Sequence, residues 1–598
     1  MNRFFDGLDT LIGWITAGLL AVAYALSVYS VFERYVIAGS GTDWIWEVVV
    51  FGIVWAVLLS VARIEHRRAH IRMDIVWRRF SDAGKVRAEY VSCSWAWRSA
   101  CFLSMPAGSS YRTPCNGTSA LDSSLRLPYW VYYAALSSCF AVLPVRRASS
   151  AAPCQGHART RDRGSDQLSL LLLIIGFLAV CALLVLGVPI YVVLGSVAIG
   201  LLLSEGVTVA GLGQHALDHL NTPVLVSVPF FLLAAVTMRG GGIAKVLFDA
   251  ALTWIGWMRG GLAIAGVAAT AVFAAINGSS MATALAMGTL LVPLLIDNGY
   301  KPSFAMGLTA AAATLGILIP PSLPMILIGI IAEESVPRLF IGGVIPGLLQ
   351  AALFGLYIYV VADRVGGHRL PKAGREEFFR KNIHAFPAYS IPVVVLGGIY
   401  GGFVTLTEAA VLGATIAIIA VLFIYRSGRL GDLRGLFSEA IDRTGVVVVK
   451  IIGATLLSLW IIKSGLPQGL ARAVAESGLQ PWQFLTFMNI FLIIMGMFLE
   501  GVAIILIVLP IVAPIVKTLG IDMTHFGVVM IINIELALLS PPIGLNLFIM
   551  ANVTRRPVGE VIRGTVPFFM LMLALLMLVT YVPAVTLWLP NLAFGKSP

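Results

Sequence analysis

Long apolar runs separated by short polar segments make up most of the chain. They lie at 11–37, 44–62, 222–238, 243–276, 280–296, 303–331, 338–362, 391–425, 445–462, 482–515, 525–552 and 565–590. A helix needs about 20 apolar residues to cross a bilayer, so this pattern predicts a polytopic, all-α membrane protein of about 14–16 transmembrane helices. The run at 391–425 is too long for one helix. It is expected to turn near its GGFVTLTE segment, either crossing twice or forming a re-entrant loop.

Composition and charge agree with a membrane location. Of the 598 residues, 59% are hydrophobic and 12% are charged, against about 45–50% and about 25% in soluble proteins. The net charge of +11 comes from basic clusters between the apolar runs, at 63–79, 364–381 and 426–443. Such clusters are typical of cytoplasmic loops. The lipid bilayer is therefore the expected partner, and nucleic acid is not.

Residues 89–165 differ from the rest of the chain. They are rich in Ser, Cys and Arg, and five of the six cysteines fall between 93 and 154 without forming a C-x-x-C pair. One hypothesis is a local change of reading frame in the source sequence, and the other is an unusual interfacial segment.

Part of the first half recurs in the second half at an offset of about 220 residues. Residues 277–322 match 500–546, and the matched pairs are Gly278 with Gly501, Gly299 with Gly520, Phe304 with Phe526, and Pro320-Pro321 with Pro541-Pro542. Each copy ends at a Pro-Pro pair, which removes two backbone donors and stops a helix. Paired breaks in two halves predict the binding site of a secondary transporter. Kinks that serve packing alone are the alternative.

Several sequence blocks carry a family resemblance. GVPIYVVLG, NGSSMATALAMGTLLVPLL, GYKPSFAMGLTAAAATLGILIPPS, LFIGGVIPGLL, GGFVTLTEAAVLGA and SPPIGLNLFI resemble the large membrane subunit of tripartite ATP-independent periplasmic (TRAP) transporters over about 168–598. Trp46-Glu47 and RRAHIRMDIV (67–76) resemble the small four-helix subunit. The chain is therefore expected to be a fusion. Residues 1–165 form the small domain of about four helices, and 166–598 form the transport domain, with repeats at about 222–362 and 391–590.

The resemblance implies an elevator-type carrier of the bacterial inner membrane, with inverted repeats and two re-entrant helical hairpins. It implies sodium-coupled uptake of an organic acid, such as a C4-dicarboxylate, sialic acid or another carboxylate, delivered by a periplasmic substrate-binding protein. No cofactor besides the coupling ion and no enzymatic activity are expected, and the chain has no G-x-x-x-x-G-K-[ST] phosphate loop. The alternatives are a standalone ion-coupled organic-anion carrier, a membrane-embedded enzyme and a structural scaffold.

The resemblance and the breaks together suggest an ion and substrate site. Sodium takes oxygen ligands, which unwound backbone and hydroxyl groups supply. The candidates are Asn277, Gly278, Ser279, Ser280, Pro320, Pro321, Thr405, Thr407, Gly501, Pro541, Pro542, Gly544 and Asn546. For the serine and threonine hydroxyls, helix packing is the alternative role.

Charged residues in or beside apolar runs are a second group of candidates, because such charges are costly in a membrane. They are Glu408, Glu500, Glu535 and Lys450. Lys450 is a candidate partner for a substrate carboxylate, with a salt bridge or snorkelling as the alternative. Glu47, beside Trp44 and Trp46, is interpreted as an interfacial helix cap. His66 and His70 are not expected to bind a metal.

Overall fold

A computed structural model of the protein describes residues 2–37, 43–66, 190–204, 222–542 and 544–595. Eleven of the described helices are long and apolar enough to cross a membrane, which confirms a polytopic helical membrane protein. The atypical segment 89–165 lies outside the described residues. Its two hypotheses, the domain boundary at 165–166 and the total of 14–16 helices therefore stay predictions.

The described helices follow one another in this order: α1 (Asn2–Phe32), α2 (Asp43–His66), α3 (Ile190–Ser204), α4 (Pro223–Gly240), α5 (Ile243–Ile255), α6 (Gly261–Asn277), α7 (Ser280–Asp297), α8 (Pro302–Ala312), α9 (Leu315–Leu318), α10 (Leu323–Ala332), α11 (Val336–Val365), α12 (Arg375–Tyr400), α13 (Leu406–Ile419), α14 (Leu433–Lys463), α15 (Leu466–Glu476), α16 (Pro481–Gly496), α17 (Gly501–Thr518), α18 (Met523–Leu538), α19 (Leu545–Thr554), α20 (Val558–Tyr581) and α21 (Ala584–Phe594). A π-helical turn extends α1 over Glu33–Ile37, and another extends α13 over Ala420–Ile424.

The chain divides into two compact units. The first contains Met1–Pro229 and Phe437–Leu466, and the second contains Phe230–Leu436 and Pro467–Pro598. Within the first unit α1 packs against α2. In the same unit α3 approaches α14, where a Cβ built on Gly453 would lie 3.0 Å from the carbonyl oxygen of Tyr191. Small residues allow helices in a bilayer to approach this closely.

Arg63 lies near the end of α2, at the start of the basic segment 63–79, and it is buried rather than solvated. Its guanidinium is 3.4 Å from Asp9 on α1 and 3.3 Å from Asp442 on α14, and it also donates to Ser438. Gly13 leaves room for this group, since a Cβ there would meet the guanidinium carbon at 2.9 Å. Two carboxylates therefore compensate the buried cation and connect three helices of the first unit.

Replacing Arg63 with methionine is expected to destabilise the first unit by up to about 3 kcal/mol, because the partly buried carboxylates of Asp9 and Asp442 lose their cation. The midpoint of thermal unfolding of the purified protein measures this. Arg443→Met is the matched control on α14. Arg443 pairs with Glu439 four residues before it, and both side chains are more than a third exposed, so the expected cost is at most about 0.5 kcal/mol. Equal effects of the two substitutions would contradict the assignment.

The second unit contains two helical hairpins and two broken helices. Hairpin 1 is α6 and α7, joined by Gly278 and Ser279, and hairpin 2 is α16 and α17, joined by residues 497–500. The apolar run at 482–515 is thus two short helices. The first break is residues 319–322, between α9 and α10, and the second break is residues 539–542 and Gly544, between α18 and α19. Both Pro-Pro peptide bonds, at 320–321 and 541–542, are cis.

The two halves of this unit repeat the same elements at an offset of about 220 residues. Helices α7 and α17 each have 18 residues, and α10 and α19 each have 10. Both helices that follow a break end on a non-glycine residue with a left-handed backbone, Glu333 (φ 55°) and Arg555 (φ 53°). Gly299 and Gly520, which match in sequence, also share a positive φ. The repeat is therefore present in the backbone geometry as well as in the sequence.

The two halves pack crosswise. Helix α7 of hairpin 1 packs on α19, the helix after the second break, and α17 of hairpin 2 packs on α10, the helix after the first break. Helices α8 and α20 meet at their glycines, where a Cβ on Gly307 or Gly564 would overlap the backbone of the other helix. This packing brings the tip of hairpin 1 against both breaks, since Gly278 meets Pro321 and Ser280 bonds to Asn546.

Candidate functional site

The tip of hairpin 1 is closed by its own side chains. Gly278 ends α6 with a left-handed φ of 61°, and Ser279 is extended before α7 begins. The Asn277 amide donates to Thr283 Oγ1 at 3.2 Å and to the carbonyl oxygen of Ser279 at 3.4 Å. Asn277 and Ser280 are buried, and Ser279 is half-buried. A turn of two residues therefore places polar backbone and hydroxyl groups at one point.

This tip touches the first break. A Cβ on Gly278 would lie 2.7 Å from the carbonyl oxygen of Pro321. The Ser322 hydroxyl donates to the carbonyl oxygen of Ile317 at 2.6 Å. Asn277, Gly278, Pro321 and Ser322 contribute to the lining of a cavity of about 10 Å³. That is the room of about one water molecule, so the cavity suits a single water or one bare ion.

Asn546 connects hairpin 1 to the second break. It is fully buried, and its amide nitrogen donates to Ser280 Oγ at 2.8 Å and to the carbonyl oxygen of Ala310 at 3.2 Å. Its side-chain oxygen is buried without a hydrogen-bond donor. Gly544, the residue before α19, is also buried, and its backbone N–H donates to the carbonyl oxygen of Ser540 at 2.9 Å. The second break therefore presents a buried oxygen that needs a hydrogen-bond donor or a cation.

The tip of hairpin 2 differs from the tip of hairpin 1. Gly501 is the first residue of α17, and its missing Cβ makes room for Ile534 of α18. Helices α7 and α17 have the same length and begin at Ser280 and Gly501. In the structure Gly501 is therefore equivalent to Ser280, whereas the sequence comparison matched it with Gly278. The two breaks differ as well, because Pro320 and Pro321 are buried whereas Pro541 and Pro542 are exposed.

Thr405 lies at the end of the turn between α12 and α13, and Thr407 lies in the first turn of α13. The run at 391–425 therefore turns there, as predicted. Thr405 caps α13, since its hydroxyl accepts from the Glu408 backbone N–H at 3.3 Å and the Glu408 carboxylate accepts from the Thr405 N–H at 2.8 Å. Thr405 is exposed and Thr407 is buried. Helix α13 packs chiefly on α12 rather than on the helices of either break. The geometry gives Thr405 a capping role, and a part for either threonine in the ion site stays a prediction.

The charged candidates lie in different places. Glu408 belongs to the capping box just described, and Glu500 precedes α17 in an extended conformation. Lys450 is buried on α14 in the first unit. Glu47 is half-buried near the start of α2, which suits the expected interfacial position. Among the described residues, no group of three metal-ligating side chains occurs.

Sequence reasoning missed a buried amide network in the second unit. The Asn489 amide donates to Thr580 at 2.9 Å, and the Asn533 amide donates to Asn489 at 2.8 Å, joining α16, α18 and α20. Gln350 of α11 donates to Thr314 at 3.0 Å, before the first break. Single amides in apolar helices are the signal that could have found them, because a buried amide requires a partner.

Replacing Gly278 with alanine is expected to remove most transport activity. The new Cβ adds left-handed strain of about 1–3 kcal/mol and a contact with the backbone at Pro321, which cannot move aside easily. Gly520→Ala is the matched control, with a similar φ of 67° and nothing within 4 Å of the new Cβ. Initial uptake rates at equal protein amounts compare the two. If both variants lose activity equally, the contact between tip and break has no special role.

Paired hairpins, broken helices and crosswise halves define a permease that moves its solute across the membrane. Two family models match the chain. The large component of tripartite ATP-independent periplasmic transporters, DctM, matches residues 177–585, and the small component, DctQ, matches residues 23–152. The chain therefore belongs to the TRAP transporter family, and it joins the small and the large membrane subunit in one polypeptide. It is a multi-pass protein of the bacterial inner membrane and a permease rather than an enzyme.

Similar proteins support both the family assignment and the fusion of the two subunits. The C4-dicarboxylate TRAP transporter large permease protein DctM of Pseudomonas aeruginosa is 42% identical over 61% of this chain and 86% of its own length. The isethionate TRAP transporter permease protein DctMQ of Oleidesulfovibrio alaskensis is 30% identical over 96% of this chain and 93% of its own length. The sialic acid TRAP transporter large permease protein SiaM of Vibrio cholerae is 33% identical over 69% of this chain and 97% of its own length.

Proposed function

We propose that this permease takes up a small organic acid, delivered by a periplasmic substrate-binding protein, in symport with sodium. The buried oxygen of Asn546 carries the proposal. It lies at the contact between hairpin 1 and the second break without a hydrogen-bond donor. Broken helix ends add unpaired carbonyl groups, and such groups coordinate sodium in secondary transporters. A cation held by these oxygens satisfies buried acceptors that otherwise cost about 1–3 kcal/mol each.

The asymmetry of the two breaks suggests a direction of access. Pro320 and Pro321 of the first break are buried, and Pro541 and Pro542 of the second break are exposed. In this conformation a cation enters from the side of the second break and reaches Asn546, while the first break stays buried. Binding of the cation then stabilises the contact between Ser280 and Asn546, so that sodium occupancy and the arrangement of the two halves depend on each other.

The substrate class rests on the relatives. Their names refer to C4-dicarboxylates, isethionate and sialic acid, which are small organic acids. C4-dicarboxylates are the first candidates, because the relative named for them shares 42% of its residues over the matched length. Since a separate protein captures the substrate in this scheme, the permease itself needs to recognise only the shared acidic group.

Reconstitution into proteoliposomes tests the proposal. Uptake of a labelled C4-dicarboxylate is measured with and without the binding protein, under an inward sodium gradient and without ATP. Uptake that requires both sodium and the binding protein supports the proposal. Equal uptake in sodium-free medium with only a proton gradient excludes sodium coupling. Uptake without the binding protein favours a standalone organic-anion carrier, the second candidate.

A further inference from the structure

Glu535 is a carboxylic residue wholly buried in the last turn of an apolar helix. It lies in α18, and neither side-chain oxygen has a hydrogen-bond donor. The polar side chain that interacts with it is Gln350 of α11, which is itself buried. A charged group in such surroundings costs several kcal/mol, so its protonation state needs a structural explanation.

The polar groups around Glu535 offer more acceptors than donors. One N–H of the Gln350 amide donates to Thr314 Oγ1 at 3.0 Å, and the Thr314 hydroxyl donates to the carbonyl oxygen of Ala311 at 2.8 Å. The second N–H of Gln350 is the donor left for one oxygen of Glu535. The amide oxygen of Gln350 and both carboxyl oxygens of Glu535 are buried without a hydrogen-bond partner. An ionised carboxylate only accepts hydrogen bonds, whereas a protonated one donates one. A proton on Glu535 therefore gives the Gln350 amide oxygen the donor that it lacks.

No cation on the described helices packed against α18 is placed to replace that proton. The acid Glu500 precedes Gly501, which packs on Ile534, but an acid cannot neutralise Glu535. Of the eight helices packed on α18, five carry no titratable side chain, namely α9, α10, α16, α19 and α21. The other three carry Arg338, Tyr357, Tyr359, Asp363 and Arg364 on α11, Lys517 on α17, and Glu560, Arg563 and Tyr581 on α20, while α18 itself carries His525. On α11 the titratable group nearest to Gln350 is Tyr357, two turns or roughly 10 Å along the axis. Lys517 and Glu560 lie at helix ends.

The position of Glu535 within the repeat connects it to the moving parts. Glu535 lies six residues before Pro541, and Thr314 lies six residues before Pro320, so the two occupy equivalent places in the two halves. Gln350 interacts with both of them. A change of charge at Glu535 therefore acts on its own helix directly and on the helical segment around Thr314 through Gln350. Both residues lie shortly before the point where their segment reaches a break.

We propose that Glu535 is a proton-binding site, with its proton donated to the Gln350 amide oxygen in this conformation, and that the proton is released during the transport cycle. A proton fits better than a metal ion, because only three oxygens are unpaired here and hard metal ions gather about six or more. The site is separate from the oxygens around Asn546. The binding of the proton rests on the complete burial and the unpaired oxygens of Glu535, and its release during transport rests on the proposed function.

Infrared difference spectroscopy of the purified full-length protein tests the binding step without transport. The wild type is expected to show a protonated-carboxyl band at neutral pH that Glu535→Gln lacks. Glu560→Gln is the control, because Glu560 is partly exposed and paired with Arg556, so the band should persist. A band that Glu535→Gln leaves unchanged overturns the proposal. A band that disappears on adding sodium assigns the site to sodium and also overturns it.

Transport measurements test the release step. With the sodium gradient clamped, wild-type uptake is expected to slow in alkaline medium and to change the pH of a weakly buffered lumen. Glu535→Gln keeps the site neutral, so whatever uptake this variant retains is expected to show neither effect. Unchanged pH dependence in this variant contradicts release of the proton. If the variant does not accumulate, Gln350→Met serves instead, and an unshifted pH profile there contradicts the proposal. Absence of sodium-driven uptake in the wild type counts against the proposed function, while the infrared result still stands.

Discussion

Replacing Asn546 with leucine is expected to raise the sodium concentration for half-maximal uptake by about 5- to 150-fold. Leucine has a similar size, so the packing between hairpin 1 and the second break should survive. The substitution removes the buried side-chain oxygen and the hydrogen bond to Ser280. A loss of about 1–3 kcal/mol corresponds to that change in apparent affinity. Initial uptake is measured against sodium concentration with saturating, substrate-loaded binding protein.

Asn489→Leu is the matched control for this experiment. Asn489 is also a buried amide of the second unit, but it bonds to Thr580 and Asn533 rather than to hairpin 1. Its loss is expected to lower thermal stability and to leave the sodium dependence as in the wild type. If the two variants shift the sodium curve equally, or if Asn546→Leu leaves it unchanged, the ion site lies elsewhere.

Replacing Gly564 with alanine is expected to destabilise the second unit by on the order of 3 kcal/mol. Its Cβ would overlap the carbonyl group of Ser303 on α8, and Gly307 of that helix is equally close to the backbone of α20. Backbone on both sides leaves no flexible side chain to give way, so the two helices must separate. The yield of monodisperse protein in detergent and its thermal midpoint measure the effect.

Gly559→Ala provides the control on the same helix. A Cβ there meets nothing within 4 Å, so the higher helix propensity of alanine acts alone and contributes up to about 1 kcal/mol of stabilisation. The two glycines are only five residues apart, and therefore the comparison isolates packing from propensity. Similar stability of both variants would falsify the close approach of α8 and α20.

The sequence predicted the breaks because their cause is local. Two consecutive prolines stop a helix whatever surrounds them, and Gly278 ends α6 because it takes a left-handed backbone readily. The turn in the run at 391–425 was predictable for the same reason, since Gly401 and Gly402 interrupt it. These features depend on the backbone of one or two residues, which the sequence specifies directly.

The partners across the unit were not predictable, because they depend on packing between distant segments. Nothing in the sequence indicates that Asn546 bonds to Ser280, or that Gln350 interacts with Glu535. Residue type alone also left one role unnoticed. The Thr405 hydroxyl completes a capping box with Glu408, and its part in the ion site stays a prediction. A hydroxyl beside a break serves a helix end as readily as an ion, and only geometry separates the two roles.

The left-handed residues at Glu333 and Arg555 bear on the ancestry of the protein. A non-glycine residue in this conformation costs about 1–3 kcal/mol, yet both copies keep it with opposite side-chain charge. A gene duplication accounts for this, since both descendants inherit the same bend while their surfaces adapt separately. If the copies are inverted, as the family resemblance implies, these two ends face opposite compartments. Arg555 and Arg556 then mark the cytoplasmic face, and Glu333 and Glu334 mark the periplasmic one.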